Sequence, residues 1–185
     1  MADNFLGRIP AKYVKVTAGV LVALALSEGF TSKAIVPVPG DVYTYGYGTT
    51  WVDGKPVKKG DTITPERALA VLYTQVEDQY ASKLRQCITA PVYSYEFEGL
   101  LELAYNVGAE TVCKTAKPGN PPNLIDLLNS GRYEEAGARI SQYNCGPSGK
   151  PGIKIDKCAA GKMILPGLVK RRARERAKFE GHNVY

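Results

Sequence analysis

The chain has 185 residues, with 24 Lys and Arg against 18 Asp and Glu and a formal net charge of +6. That length suits one domain with a full core, and an apolar share of 44% with 23% charged residues excludes an intrinsically disordered chain. A single histidine, His182, excludes His-rich zinc sites and most Ser-His-Asp or Cys-His schemes, and no apolar run reaches the about 18 residues of a membrane-spanning helix.

Pro10 can open a helix, and 11–27 carries good helix formers, apolar nearly all round in the second half, with Gly29 as a stop. Within it, 16–26 follows Arg8, Lys12 and Lys15 and has the length and flank of a signal-peptide apolar region. Three readings are open: a cleaved leader, a weak membrane-targeting segment exported uncleaved, and the first buried helix of the domain. No A-x-A cleavage site follows, and the buried helix is preferred. It places Glu28 at a helix end, partly desolvated.

Residues 34–38 (AIVPV) are β-rich, and Pro37 makes the stretch an edge or bent strand. Gly40 and Asp41 form a turn pair. In 42–48 (VYTYGYG), strand alternation puts Tyr43, Tyr45 and Tyr47 on one face and Val42, Thr44, Gly46 and Gly48 on the other. The glycines leave the Thr44 face open to a ligand; the alternative is a twisted hairpin with glycines at bulges. Asp53-Gly54 predicts a hairpin pairing 50–52 with 55–58.

Thr64 and Pro65 mark a helix start, and Leu69, Leu72, Val76, Tyr80 and Leu84 predict one long amphipathic helix to about Arg85. Ser94 caps a second helix that turns Phe97, Leu100, Leu101, Ala104 and Val107 to the core and stops at Gly108. A polar connector (114–122) leads to a short helix (123–130) ended by Gly131 and to another over 133–143. Pro166-Gly167 then opens a basic helix to about Phe179. Strands followed by helices give an α+β architecture: a small N-terminal hairpin lobe and a larger helical lobe, with a cleft expected between them for an extended ligand.

The four cysteines, Cys87, Cys113, Cys145 and Cys158, contain no CxxC pair. Their even number fits two disulfides, for which three pairings exist, or four reduced buried thiols. Cys145 and Cys158 bracket a Gly-, Pro- and Lys-rich loop, which favours that bridge and leaves Cys87–Cys113 as the other. The cluster Lys170, Arg171, Arg172, Arg174, Arg176 and Lys178 reads either as a surface for an anionic partner or as a solvated helix face. No glycine-rich phosphate loop, zinc-finger spacing or RNP-like motif accompanies it, so no nucleic-acid partner is expected.

Glu28, Asp41 and Thr44 form the one constellation with chemistry in it. Glycoside hydrolysis needs a carboxylic acid to protonate the leaving oxygen, and a second group to position water or stabilise the oxocarbenium-like transition state. A desolvated Glu at a helix end suits the acid, a solvated turn Asp stays ionised, and a strand Thr can hold water. Such a trio also arises in proteins with no catalytic role.

Three stretches add a resemblance. SEGFTSKAIVPVPGDVYTYGYGTT (27–50) carries Glu28-Gly29, Ala34, Gly40-Asp41, Thr44, Gly46, Gly48 and Thr50; LAYNVG (103–108) follows; and LPGLVKRRARERAKFEG (165–181) carries Gly167, Leu168, Arg171, Arg172 and Glu175. In this order they resemble the phage-type lysozymes, or endolysins, of glycoside hydrolase family 24 over nearly the whole chain. The resemblance implies a single lysozyme-like α+β domain over 1–185, in which 1–27 is read as an N-terminal helix, with a weak membrane-targeting segment as the alternative. It implies Glu28 as general acid, Asp41 as second carboxylate, Thr44 as water-positioning hydroxyl, and Thr50 and Tyr105 lining the sugar cleft. The reaction implied is hydrolysis of the β-1,4 bond between N-acetylmuramic acid and N-acetylglucosamine, with inversion and without metal or cofactor. The partners implied are peptidoglycan glycan strands and, transiently, the inner membrane through 16–26. A monomer would pass from host cytoplasm to periplasm and act on the wall there. One departure stands out: many relatives carry Asp nine residues after the Glu, where this chain has Pro37, and Thr44 lies one residue further on than in those relatives. Two alternatives follow: a lytic transglycosylase that leaves 1,6-anhydro ends, and a basic wall- or membrane-binding protein that lyses without catalysis.

Overall fold

The computed structural model describes residues 7–147, 158 and 162–182. These divide into two compact units, one of residues 16–79 and one of the residues before 16 and after 79.

The chain starts in the latter unit with strand β1 (Ile9–Pro10) and a 3-10 turn (Ala11–Tyr13). The helix expected over 11–27 is therefore interrupted and restarts as α1 (Ala18–Glu28). Two interactions explain the break. Arg85 Nε donates to the Val14 carbonyl at 2.9 Å, and the Thr17 hydroxyl accepts the Val20 N–H at 3.3 Å as a new N-cap. Nor is α1 a buried helix: Val20 and Leu24 are buried, whereas Val22 and Leu26 are exposed.

In the 16–79 unit, β2 (Thr31–Ile35) runs antiparallel to β3 (Thr44–Gly46). Ala34 N–H donates to Asp61 O and Ile63 N–H to Ser32 O, so the 61–63 segment also bonds to β2. Tyr45 and Thr49 exchange backbone hydrogen bonds around a tight turn whose Gly46 and Gly48 have φ of +60° and +85°, a region that disfavours side chains. The Asp53-Gly54 hairpin forms as expected, joining β4 (Trp51–Val52) to β5 (Lys55–Pro56). Helix α2 (Pro65–Gln75) starts where predicted, with the Thr64 hydroxyl accepting from Arg67 N–H. Tyr45, Val57, Ile63, Ala68 and Val71 form this unit's apolar cluster, with Tyr43 and Tyr47 packed against it.

The predicted long helix continues past α2, but through a π-helical segment (Val76–Ala81) into α3 (Ser82–Cys87). A π turn inserts a residue and rotates the stripe that follows. At its end and beyond, Ala81, Leu84 and Ile88 are therefore buried while Tyr80 is only half-buried; at its start Val76 is buried, and upstream Leu69 lies exposed on α2.

Strand β6 (Pro91–Val92) pairs with β1, across a sequence distance that no local pattern reveals. Helix α4 (Ser94–Val107) is the centre of the helical unit, with Phe97, Leu100, Leu101, Leu103 and Ala104 all buried. Its cap lies one residue before the expected one: Tyr93 N–H donates to Glu96 at 2.8 Å, which makes Ser94 the first helical residue. Glu96 also takes Arg8 Nη2 at 2.7 Å, and the Arg8 guanidinium lies 3.6 Å from the Tyr133 ring centroid.

Beyond Gly108 come α5 (Ala109–Val112), α6 (Leu124–Asn129) and α7 (Tyr133–Ile140). Asp126 holds the start of α6 by accepting from both Asn123 and Ala116 N–H at 2.8 Å. Strands β7 (Cys145–Pro147) and β8 (Lys162–Ile164) pair on either side of the predicted cysteine loop. Residues 148–157 of that loop, and 1–6 of the expected N-terminal helix, lie outside the described residues. Both expected disulfides are present, Cys87–Cys113 and Cys145–Cys158, with Cα separations of 5.7 and 5.8 Å.

Helix α8 (Pro166–Phe179) closes the unit by packing on α4. At this crossing a Cβ on Gly99 would stand 2.8 Å from Glu175 O and 2.9 Å from Phe179 N, so only glycine lets the two backbones approach. The basic cluster expected at the surface is partly internal. Arg172 and Lys178 are buried, 1% and 4% exposed. Lys178 Nζ reaches Glu102 at 2.7 Å and Glu98 at 3.1 Å. Lys178 is thus paired with acids of α4 and Arg172 with Glu175 of its own helix, so both are ion-paired rather than offered to an anionic partner.

Candidate active site

Glu28, Asp41, Thr44 and Thr50 all belong to the 16–79 unit; Tyr105 belongs to the helical unit. Glu28 is the last residue of α1 and is exposed. The expected partial desolvation is therefore absent, because α1 buries only Val20 and Leu24 and its C-terminal turn stands in solvent.

Two features tie the segment after Glu28 to the β3 turn. Thr31 pairs with Gly46, and the Phe30 and Tyr47 rings meet at 5.6 Å between centroids. Thr44 pairs with Ile35, which at about 3.3 Å per residue sets it roughly 7 Å along the strand from Gly46. It is half-buried. Asp41 lies between these strands, on a turn closed by its own N–H donating to Val38 O at 3.0 Å. Its Oδ1 accepts the Val42 N–H at 2.8 Å, and the residue is exposed, as expected for a turn position.

The open face expected beside Thr44 is only partly present. A Cβ on Gly46 would meet the Ala68 Cβ at 3.0 Å, whereas one on Gly48 would meet nothing within 4 Å. The positive φ of Gly46 breaks strand alternation and turns this residue onto α2, so its lack of a side chain serves packing.

The Thr50 carbonyl accepts the Val57 N–H at 2.8 Å, and Thr50 lines a cavity of about 500 Å³ within the same unit, together with Trp51, Arg67 and Gln75. Glu28, Asp41 and Thr44 do not line that cavity. Sequence reasoning passed over Trp51, although a lone tryptophan beside Thr50 at a hairpin was a usable signal. Tyr105, on α4, is half-buried with its ring 5.1 Å from that of Tyr80. His182 is exposed. Among the described residues, no three His, Cys, Asp or Glu side chains are arranged to hold a metal ion.

The other two motif stretches meet each other instead. Arg172 Nη2 donates to Asn106 Oδ1 at 2.7 Å and to Glu175 Oε1 at 2.8 Å. Burial pushes the Glu175 carboxyl up to about 7 against the opposing pull of Arg172, and burial likewise lowers Arg172 from its ordinary value. Arg172 Nε and Glu175 Oε2 are buried without a hydrogen-bond partner.

The description "Phage lysozyme" matches residues 25–175, a stretch that contains all five sequence-predicted catalytic and sugar-binding positions. The chain belongs to the phage lysozyme family. It is 29% identical over 160 residues to an endolysin of Acyrthosiphon pisum secondary endosymbiont phage 1, covering 86% of this chain and 94% of the relative. It is 28% identical over 161 residues to the endolysin of Bacillus phage B103, covering 85% of this chain but 52% of that protein. The chain thus spans about half the length of that relative. A solved endolysin from Escherichia coli O157:H7 phage FAHEc1 superposes with a TM-score of 0.72 at 26% identity, over 90% of this chain and 94% of that one. The fold is accordingly the α+β lysozyme-like fold of the family.

Proposed function

We propose that the protein hydrolyses the β-1,4 bond between N-acetylmuramic acid and N-acetylglucosamine in bacterial peptidoglycan. The observation that carries this is the family match across 25–175, which includes a Glu at a helix end joined to a Thr-bearing β-hairpin. Glu28 is the general acid: it gives its proton to the leaving glycosidic oxygen as the bond breaks. A carboxyl covered by a bound sugar loses water, and desolvation favours its neutral form. Thr44 holds the attacking water, and Asp41 is the ionised second carboxylate that steadies positive charge developing on the sugar ring. Attack from the face opposite the leaving group inverts the anomeric centre. Thr50 and Tyr105 contact the glycan.

The site of action is the cell wall in the periplasm. Two formed disulfides support work on the oxidising side of the inner membrane. The exposed Val22 and Leu26 of the apolar helix α1 support a transient contact with that membrane on the way. No helix among the described residues is long and apolar enough to cross it. The protein acts as a monomer.

Mass spectrometry of fragments released from purified peptidoglycan tests the reaction. Hydrolysis predicts reducing N-acetylmuramic acid ends. Anhydro ends would make the protein a transglycosylase, and no fragments at all would overturn the enzymatic reading.

A further inference from the structure

The cavity in the 16–79 unit has its own chemistry. Its volume of about 500 Å³ falls in the roughly 300–1,000 Å³ range of small-molecule sites. Trp51 stands at its edge, 58% exposed and the only tryptophan in the chain. An indole left this far in water adds little to a core and offers a large rigid face to a ligand. The polar groups around it are hydrogen-bonded to one another. Arg67 Nη2 donates to both carboxylate oxygens of Asp53 at 2.8 Å. The Thr49 hydroxyl donates to Gln75 Oε1 at 3.2 Å, which sets the plane of that amide. Thr50 lines the same hollow.

An aromatic face beside a fixed amide, a hydroxyl and a paired guanidinium and carboxylate matches a pyranose. The C–H face of the sugar stacks on the ring, while its hydroxyls and acetamido group exchange hydrogen bonds with planar polar side chains. An isolated anion fits less well, because Asp53 already engages Arg67. The geometry points to a sugar subsite at Trp51 that holds an N-acetylated amino-sugar ring of a glycan strand. This deepens the reading of the protein as a peptidoglycan hydrolase and rests on it for the identity of the sugar.

The test uses the full chain carrying Glu28→Gln, titrated with tri-N-acetylchitotriose and followed by calorimetry and by tryptophan emission, which reports on Trp51 alone. The expected result is a saturable emission change with the calorimetric midpoint. Adding Trp51→Ala weakens calorimetric binding by about tenfold, and Trp51→Phe restores most of it. In the active enzyme Trp51→Ala raises KM for soluble glycan with little change in kcat. The Phe variant keeps the test open if the Ala variant does not fold. Binding without an emission change, an affinity unmoved by Trp51→Ala, or no binding at all would each overturn the subsite. Failure of the catalytic reading shows separately, as glycan cleavage retained by Glu28→Gln.

Discussion

Residues 27–50 and helix α8 both carry polar side chains at family-characteristic positions, and they use them in opposite ways. In 27–50, Glu28 and Asp41 are exposed and Thr44 is half-buried on a short strand pair. In α8, Arg172, Glu175 and Lys178 are buried: Arg172 bonds to Glu175 and to Asn106 of α4, and Lys178 to Glu98 and Glu102 of α4. Groups proposed to meet a substrate stay in water or at its edge. Groups that hold two helices together lose water and need partners, because an unpaired buried charge is costly. A charged residue in a motif is thus not by itself a sign of chemistry; what faces it decides.

The sharpest way to break this comparison is to remove one buried partner. Arg172→Met leaves Glu175 inside without its cation and is expected to lower unfolding free energy by about 3–5 kcal/mol in urea titration, whereas Arg172→Met with Glu175→Leu recovers most of the loss. Next comes the helix crossing: Gly99→Ala forces a Cβ against the α8 backbone and is expected to cost about 1–3 kcal/mol by the same measurement.

A smaller effect concerns pH. The folded-state carboxyl of Glu175 is raised from 4.5 to about 7, so the folded protein holds this proton more tightly than the unfolded chain. Its contribution to stability is full below the unfolded value and is lost as pH rises through the folded one. Denaturant unfolding at intervals from pH 4.5 to 7 is expected to show that decline in wild type and a flatter curve in Glu175→Gln. The smallest effect is expected at α1. Leu26 is 81% exposed, so Leu26→Gln should shift stability by less than about 0.5 kcal/mol. A larger loss would show that α1 is held by more than Val20 and Leu24.

Local signals carried much of the fold. The Thr64-Pro65 start, the Gly108 stop, the Asp53-Gly54 hairpin and the course of α8 are each fixed by neighbours in sequence. What stayed hidden depends on distant partners. Strands β1 and β6 are two residues each and find one another across a stretch of sequence that holds the whole 16–79 unit. The π segment moves burial from Tyr80 to Ala81 without any breaker residue to announce it. Arg172 and Lys178 sit in a run of cations that reads as solvated until Asn106, Glu98 and Glu102 of α4 are known to face it. At the site, sequence located the helix end, turn and strand that bear Glu28, Asp41 and Thr44, but missed the packing of Gly46 on Ala68. The roles of the three residues came from the resemblance, since their spacing alone is unremarkable.

The central claim is that Glu28 supplies the proton while the buried charges only hold the fold. It is tested most directly by the rate of glycan release from purified peptidoglycan by wild type and Glu28→Gln, with thermal unfolding recorded on both. The account predicts unchanged unfolding and a rate lower by about a hundred- to ten-thousandfold. A Glu28→Gln protein that cleaves within a few-fold of wild type would contradict it and place the acid elsewhere.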